Sequence, residues 1–98
     1  MDNILSFLGL MKKAGALAIG TENAVLAAQK HKAKMLIVSA DTSPHSASML
    51  EKAADIPIIK LSYTKQELGA ALGQKECASL ALLDRGFADA LGKKLTVN

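Results

Sequence analysis

Residues 35–44 read MLIVSADTSP and carry the clearest indication of the fold class. Met35–Val38 is an unbroken apolar run, too short for an ordinary helix and without the alternation of a half-exposed strand. It therefore predicts a strand that is covered on both faces. The turn after it ends in Ser43 and Pro44, which are typical of the cap and the first position of a helix. A buried strand that leads directly into a helix indicates an α/β protein.

The same alternation of apolar runs and helical patterns continues along the chain. Further strands are predicted at Leu17–Ile19, at Ile56–Leu61, with Pro57 favouring an edge strand or the entry position of a strand, and at Cys77–Leu83. Two helices are predicted in the first third of the chain, from Asn3 to Lys13 with Asp2 or Asn3 as cap, and from Glu22 to His31 with Thr21 as cap. A later helix begins at the capping box Thr64-Lys65-Gln66-Glu67, runs to Leu72 and is closed by Gly73. The last predicted helix is capped by Asp84 and runs through Leu91, with Gly92 past its end. Strands of this composition need cover on both faces. We expect a single-domain three-layer α/β/α sandwich with a central mixed sheet of about four strands.

Size and composition exclude several classes of protein. Ninety-eight residues suffice for one core, and 50% hydrophobic with 21% charged residues is a folded, globular composition. Two Phe, one Tyr and no Trp argue against a site that stacks nucleic-acid bases on a row of aromatic rings. Cys77 is the single cysteine, so no internal disulfide can form. The start of the chain lacks a basic signal region, and no segment approaches the ~20 apolar residues of a membrane span. We expect a cytoplasmic monomer without a cofactor or membrane contact.

The positive charge is concentrated in the first third of the chain. The formal net charge is +3, from 12 Lys and Arg against 9 Asp and Glu. Between residues 12 and 34 five lysines oppose Glu22 alone, a local net of +4, whereas the rest of the chain carries −1. These lysines are Lys12, Lys13, Lys30, Lys32 and Lys34. A polyanion would meet this region, although a solvated lysine face is the plain alternative.

Familiar catalytic and metal-binding patterns are incomplete. Gly15–Thr21 resembles a phosphate-binding P-loop, but Thr21 stands where that loop needs a lysine. The histidines His31 and His45 and the thiol of Cys77 have no metal-ligand spacing. Cys77 with His45 as base would need a tertiary contact, and a lone cysteine in an apolar strand is usually an inert core residue. We therefore expect no enzyme.

Asp41 is a stronger candidate for a functional site, because it follows the carboxyl end of a buried strand, where α/β sheets place ligands. It could accept a phosphoryl group in a signalling domain, but the carboxylates needed to hold a magnesium ion are missing nearby. The interpretation we favour is a turn aspartate whose carboxylate accepts backbone amides.

The stretch Gly20-Thr21-Glu22-Asn23 points to anion and base recognition. The first amides of the helix lack intrahelical acceptors and suit a phosphate oxygen. The exposed side chains could read base edges, since a Glu can accept from guanine N1–H and N2–H₂ together. Helical spacing places Ala24, Ala28 and His31 toward the sheet and Glu22, Leu26, Gln29 and Lys30 outside.

Three stretches together resemble the kink-turn-binding ribosomal protein family, in particular its small bacterial YlxQ-like branch. They are Leu10–Gly15, Ile19–Ala24 and Ala33–Pro44, and residues 56–58, 64–69 and Gly73 continue the match in order. The resemblance implies the α/β/α sandwich and RNA binding without catalysis. The implied ligand is a kink-turn, a sharply bent duplex with tandem sheared G·A pairs, in ribosomal RNA; the ribosome or its assembly factors are the implied partners.

The resemblance also implies the binding residues. The loop and helix start that match Gly20, Thr21, Glu22 and Asn23 would grip the G·A pairs and the backbone. Lysines matching Lys12 and Lys13, with Lys30, Lys32 and Lys34 nearby, would face phosphates; about four such contacts would give a log–log salt slope of roughly −3 to −4. A loop matching residues 73–78, including Gln74, Lys75, Glu76 and Cys77, would cover the flipped-out nucleotide.

The sequence departs from the family pattern at the centre of this site. The family order is Asn, then Glu, then a Lys three residues later, whereas here Glu22 precedes Asn23 and Leu26 stands at the lysine position. Leu26 on the RNA side motivates the alternative hypothesis of a protein-interaction module on the same fold with a decayed RNA site.

Overall fold

In a computed structural model, which describes residues 3–96 of the chain, five helices alternate with four strands. The helices are α1 (Asn3–Lys13), α2 (Thr21–Gln29), α3 (Pro44–Ala53), α4 (Lys65–Ala71) and α5 (Arg85–Thr96). The strands are β1 (Leu17–Ile19), β2 (Met35–Val38), β3 (Ile58–Lys60) and β4 (Ser79–Leu82). Asp2, one of the two predicted caps of α1, lies outside the described residues. Within residues 3–96 no helix is long and apolar enough to cross a bilayer.

The strands form one mixed sheet in the order β1-β4-β2-β3. β4 is antiparallel to both neighbours, with Ala81 opposite Ala18 on one side and Leu36 on the other. β2 and β3 run parallel, and Leu36 lies beside Ile58. β3 is an edge strand and begins directly after Pro57, in agreement with the two positions that this proline indicates.

Helices cover both faces of the sheet, which confirms the three-layer α/β/α sandwich. Every residue of β2 and β4 is buried, so neither strand leaves a face to water. One face is covered by α1, α4 and α5, with Leu8, Met11, Leu68 and Leu91 in its core. The other is covered by α2 and α3, with Ala24, Ala27, Ala28 and Leu50. The alanines let α2 lie close to the sheet.

Two helix starts follow their predicted caps. Ser43 Oγ accepts the Ser46 N–H at 3.1 Å, and Pro44 occupies the first turn of α3. At α4 the Glu67 N–H donates to Thr64 Oγ1 at 3.1 Å, and the Thr64 N–H donates to Glu67 Oε1 at 2.9 Å. Both halves of the predicted capping box are therefore present.

Other element ends differ from the predictions. Thr21 is the first residue of α2 and Gly20 is its N-cap, so the predicted Thr21 cap is wrong. The helix ends at Gln29, because the chain turns at His31, whose φ of 59° is left-handed. α5 does not stop at Leu91 but continues through Gly92 to Thr96. Leu91 and Leu95, one turn apart, both pack on the same core cluster, and this contact carries the helix past the glycine.

Two strands are shorter than predicted. Cys77 precedes β4, since its N–H donates to the Lys65 carbonyl of α4 at 2.8 Å rather than to a strand. β3 covers only Ile58–Lys60 of the predicted Ile56–Leu61.

Candidate nucleic-acid interface

Helix α2 begins at a backbone conformation that only glycine adopts readily. Gly20 has φ 102° and ψ 153°, where a Cβ is strongly disfavoured. It has no side chain to offer as N-cap, and no other side chain caps α2. The first-turn amides therefore lack an intrahelical acceptor, and they lie at the positive end of the helix dipole. Such an end suits a phosphate oxygen.

A buried serine fixes the position of this helix start. Ser79, the first residue of β4, is fully buried. Its carbonyl accepts the Gly20 N–H at 2.9 Å, and its hydroxyl accepts the Thr21 hydroxyl at 3.1 Å. The same carbonyl accepts the Cys77 thiol at 3.3 Å. Ser79 therefore joins the start of α2 to the segment that follows α4.

Glu22 and Asn23 are both exposed, but they are not equally free. Asn23 Nδ2 donates to the Ile19 carbonyl at 2.8 Å, which ties this amide to the last residue of β1. The Glu22 carboxylate is engaged by no other residue of the described chain. The Glu22 carboxylate is thus available to accept hydrogen bonds from a ligand, whereas the Asn23 side chain also stabilises the turn between β1 and α2.

The segment after α4 folds back along that helix. Gly73 turns the chain with φ 70°. The Gln74 N–H then donates to the Gly69 carbonyl, and the Cys77 N–H donates to the Lys65 carbonyl, both at 2.8 Å. A Cβ on Gly69 would lie 2.6 Å from the Glu76 Cα, so this glycine permits the close approach. Gln74, Lys75 and Glu76 are exposed, but Cys77 is buried, so the prediction that its side chain contacts RNA is wrong. We call residues 20–23 together with 73–79 the candidate site.

Lys12 lies against the beginning of this loop. Its Nζ donates to the Leu72 carbonyl at the C-terminal end of α4. A Cβ on Gly73 would lie 3.2 Å from the same Nζ. Lys12 therefore stabilises the end of α4, a role that the sequence did not predict, and an ammonium group has three donors, so others remain for a phosphate. Lys13 is exposed beside it.

The remaining predicted lysines lie at the other end of α2. The Lys34 N–H donates to the Leu82 carbonyl at the end of β4, whereas Gly20 bonds Ser79 at its beginning. At ~3.3 Å per residue these points are about 10 Å apart along the strand. Lys30 and Lys32 follow the last turn of α2, about 13 Å from its first. The structure therefore brings Lys12 close to the loop but does not gather the five lysines into one patch.

The outer face of α2 carries an exposed leucine, as its spacing predicted. Leu26 is 49% exposed, one turn after Glu22. His31, predicted on the sheet-facing side, is exposed beyond the end of the helix.

The alternative catalytic sites are not assembled. Cys77 lies in the core under α1 and α4, while His45 is exposed on α3, which covers the opposite face. Burial raises the pKa of the Cys77 thiol, which favours the unreactive protonated form. Within residues 3–96 no three His, Cys, Asp or Glu side chains are placed to hold a metal ion.

Asp41 behaves as a turn aspartate. Its Oδ1 accepts the Lys65 N–H at 2.9 Å, across 24 residues of sequence. This hydrogen bond to the Lys65 amide lowers the pKa of the Asp41 carboxyl. The carboxylate therefore joins the loop after β2 to the start of α4, in agreement with the favoured interpretation.

Two residues that build the candidate site were missed by the sequence analysis. Ser79 is a polar residue within an apolar run, which is a usable signal for a buried hydrogen bond. Gly69 lies in a helix, where glycine is unfavourable, and this indicates a close backbone approach.

Comparison with known proteins identifies the family. Residues 2–92 match the model of the "Ribosomal protein L7Ae/L30e/S12e/Gadd45 family". The large ribosomal subunit protein eL30 of Neurospora crassa is 33% identical over 88 residues, covering 86% of this chain and 81% of that protein. The eL30 of Aeropyrum pernix is 32% identical, with 76% of this chain and 78% of that protein covered.

Solved structures share the fold. A Bacillus halodurans protein described as having unknown function superposes with a TM-score of 0.86 at 30% identity, covering 95% of this chain and 96% of that one. The 15.5kD RNA binding protein of Giardia lamblia superposes with a TM-score of 0.70 at 18% identity, covering 91% and 78%. The named relatives are ribosomal proteins rather than enzymes, which confirms the expectation of a non-catalytic protein. On these matches the predicted family is confirmed, and the chain belongs to the ribosomal protein L7Ae/L30e/S12e/Gadd45 family.

Proposed function

We propose that the chain binds kink-turn RNA through the candidate site and works in the cytoplasm as a ribosome-associated protein. The observation that carries this proposal is the free Glu22 carboxylate beside an uncapped helix N-terminus, both held by Ser79 against the loop after α4. The names of the relatives add support, since two are large ribosomal subunit proteins and one structural neighbour is an RNA binding protein.

In this proposal each part of the site has a separate role. Glu22 accepts the N1–H and N2–H₂ of a guanine in the G·A pairs, where a carboxylate offers two acceptors. The first-turn amides and Thr21 face the backbone at the bend. Asn23 has its Oδ1 acceptor and one remaining N–H for a base edge. The exposed loop residues Gln74, Lys75 and Glu76 lie against the flipped-out nucleotide, whereas the buried Cys77 only supports the loop from below.

Phosphate contacts come from the cations close to the site. Lys12 and Lys13 lie by the start of the loop and Lys75 lies on it, whereas Lys30, Lys32 and Lys34 reach only RNA that extends past the far end of α2. Three contacts predict a log–log salt slope of about −2 to −3 for a minimal kink-turn. A longer RNA that also meets the far lysines should give a steeper slope.

The exchange of one carboxylate tests the base contact. Glu22→Gln keeps the shape but loses one acceptor, so kink-turn affinity should fall about 10-fold or more. Affinity for plain duplex should stay level or rise, because a negative charge is removed. Glu51→Gln is the matched control, since it removes the same charge from an exposed position of α3. Equal effects of the two variants on kink-turn binding would reject the assigned role of Glu22.

The alternative function rests on Leu26, whose exposure on the outer face of α2 also fits a protein contact. Leu26→Lys restores the cation of the family pattern. Tighter kink-turn binding by this variant supports an RNA site weakened at one position. An unchanged RNA affinity together with loss of a bound protein favours the interaction module.

A further inference from the structure

The described part of the chain exposes two large hydrophobic side chains, and they lie on surfaces of matching shape and charge. Leu10 on α1 is 55% exposed and Leu26 on α2 is 49% exposed. Leu10 belongs to a groove, whereas Leu26 stands on a convex helix face. Exposed apolar surface of this kind commonly marks a contact with another macromolecule.

The groove runs between α1 and α4. Leu5, Leu10 and Ala71 line a cavity of about 630 Å³, where Gly9 adds no side chain to fill the space. Lys12 and Lys13 form one end of this cavity. At the other end a second cavity of about 280 Å³ shares Leu5 and Ala71 and includes Glu67. We call the two together the α1–α4 groove; it is basic at one end, apolar along its middle and acidic at the other.

The outer face of α2 presents the opposite order of charges. Glu22, Leu26 and Lys30 are all exposed and follow one another at four-residue intervals. They span about 12 Å along the helix axis. The groove between Glu67 and Gly73 extends about 9 Å along α4, and the lysine side chains reach beyond that. The acidic, apolar and basic positions of α2 therefore face the basic, apolar and acidic positions of the groove in the same order and over a similar distance.

We propose that the α1–α4 groove of one molecule receives the outer face of α2 of a second copy of this chain. Leu26 packs beside Leu5 and Leu10, Glu22 meets Lys12 and Lys13, and Lys30 meets Glu67. In this arrangement α2 lies antiparallel to α4, the orientation in which the two helix dipoles attract.

The contact is heterologous, because the two molecules use different surfaces. A contact of this type leaves one groove and one α2 face open, so it adds molecules in a chain rather than closing a dimer. One short helix in a groove buries less area than a stable interface needs, so the association is weak. It requires a concentrated protein solution, which is compatible with a monomer in dilute solution.

This contact also covers Glu22. RNA bound at the proposed site would therefore compete with a second copy of the chain for the α2 face. This competition rests on the proposed function, whereas the self-association does not. The association itself is measured without RNA, so its failure and the failure of RNA binding are distinguishable.

Sedimentation equilibrium of the full chain, from micromolar to millimolar concentration, tests the proposal with two variants. Leu10→Ser impairs the groove and Leu26→Ser impairs the α2 face; both positions are exposed, and circular dichroism checks that both variants fold. Each change should weaken self-association about tenfold or more. An equimolar mixture of the two should form a one-to-one dimer and nothing larger, because it contains one intact groove facing one intact α2 face.

Charge exchange supplies a second measurement. Glu22→Lys and Lys13→Glu should each associate less than the wild type on its own, and their mixture should recover association, because both contacts between unlike variants pair opposite charges. A wild-type protein that stays monomeric at millimolar concentration would overturn the proposal. So would association that survives both serine variants, or a mixture that associates no better than its components.

Discussion

The Thr21 hydroxyl donates to the Ser79 hydroxyl over 3.1 Å and connects the start of α2 with β4 across 58 residues of sequence. Ser79 is fully buried, and its carbonyl holds the Gly20 N–H as well. The helix start and the loop after α4, which are distant in sequence, therefore share one anchor.

Removal of the Thr21 hydroxyl should destabilise the protein and loosen this anchor. Thr21→Val preserves the shape but leaves the buried Ser79 hydroxyl without its donor, which should lower the free energy of unfolding by about 1 to 2 kcal/mol. Thr21→Ser keeps the hydroxyl and serves as the control. Urea unfolding of the three proteins measures the effect; equal stability of the valine and serine variants would show that the bond contributes little.

Two glycine-to-alanine changes in helices should have opposite signs. Gly69→Ala places a Cβ 2.6 Å from the Glu76 Cα, so the loop must shift and the protein should lose about 1 to 3 kcal/mol of stability. The shift should also weaken kink-turn binding, because the loop belongs to the candidate site. Gly92→Ala meets no atom within 4 Å in α5 and should gain about 0.5 to 1 kcal/mol from helix propensity. Thermal unfolding of both variants checks the pair, and a destabilising Gly92→Ala would contradict the structure of α5.

His31 carries backbone strain that glycine would relieve. Its φ of 59° is left-handed, at the position after a helix where glycine is usual, and the Lys32 N–H donates to the Ala27 carbonyl at 2.9 Å there. His31→Gly should stabilise the protein by about 0.5 to 1 kcal/mol. His31→Ala retains the strain and should give no gain in denaturant unfolding. A gain of the same size from alanine would mean that the imidazole, rather than the backbone, is unfavourable.

Asp41 should make stability fall in acid. The Lys65 amide lowers the carboxyl pKa in the folded state, so the stabilising interaction is complete above the unfolded pKa of about 3.9. It is lost as pH falls through the lower folded-state value. Asp41→Asn should be less stable than the wild type at neutral pH and should show a smaller decline in this acid range. Unfolding free energies measured from neutral to acid pH test this, and parallel profiles would contradict the assigned bond.

The elements with local signals were predictable from sequence. β1 and β2 match their apolar runs because turn residues bound them, and α4 begins at its capping box. The end of α5 was not predictable, because Gly92 has the appearance of a helix stop and only the packing of Leu95 on a distant core shows otherwise.

The two segments of the candidate site are visible in the sequence, but the contacts that hold them together are not. The helix start at Gly20 and the loop after Gly73 are visible as local patterns, and the family resemblance names both. The bonds that hold them, from Ser79 to Thr21 and from Lys12 to Leu72, join positions 58 and 60 residues apart. The separation of Lys34 from the helix start likewise depends on the register of β4, which composition does not fix.

In the proposed complex, the start of α2 and the loop after α4 recognise a bent RNA through its G·A pairs. Fluorescence titration of the wild-type protein with a kink-turn RNA, and with the same RNA after its G·A pairs are replaced by Watson–Crick pairs, measures this recognition. The proposed function predicts at least about tenfold tighter binding of the intact kink-turn at a fixed salt concentration. Equal affinity for the two RNAs would show that the G·A pairs are not recognised.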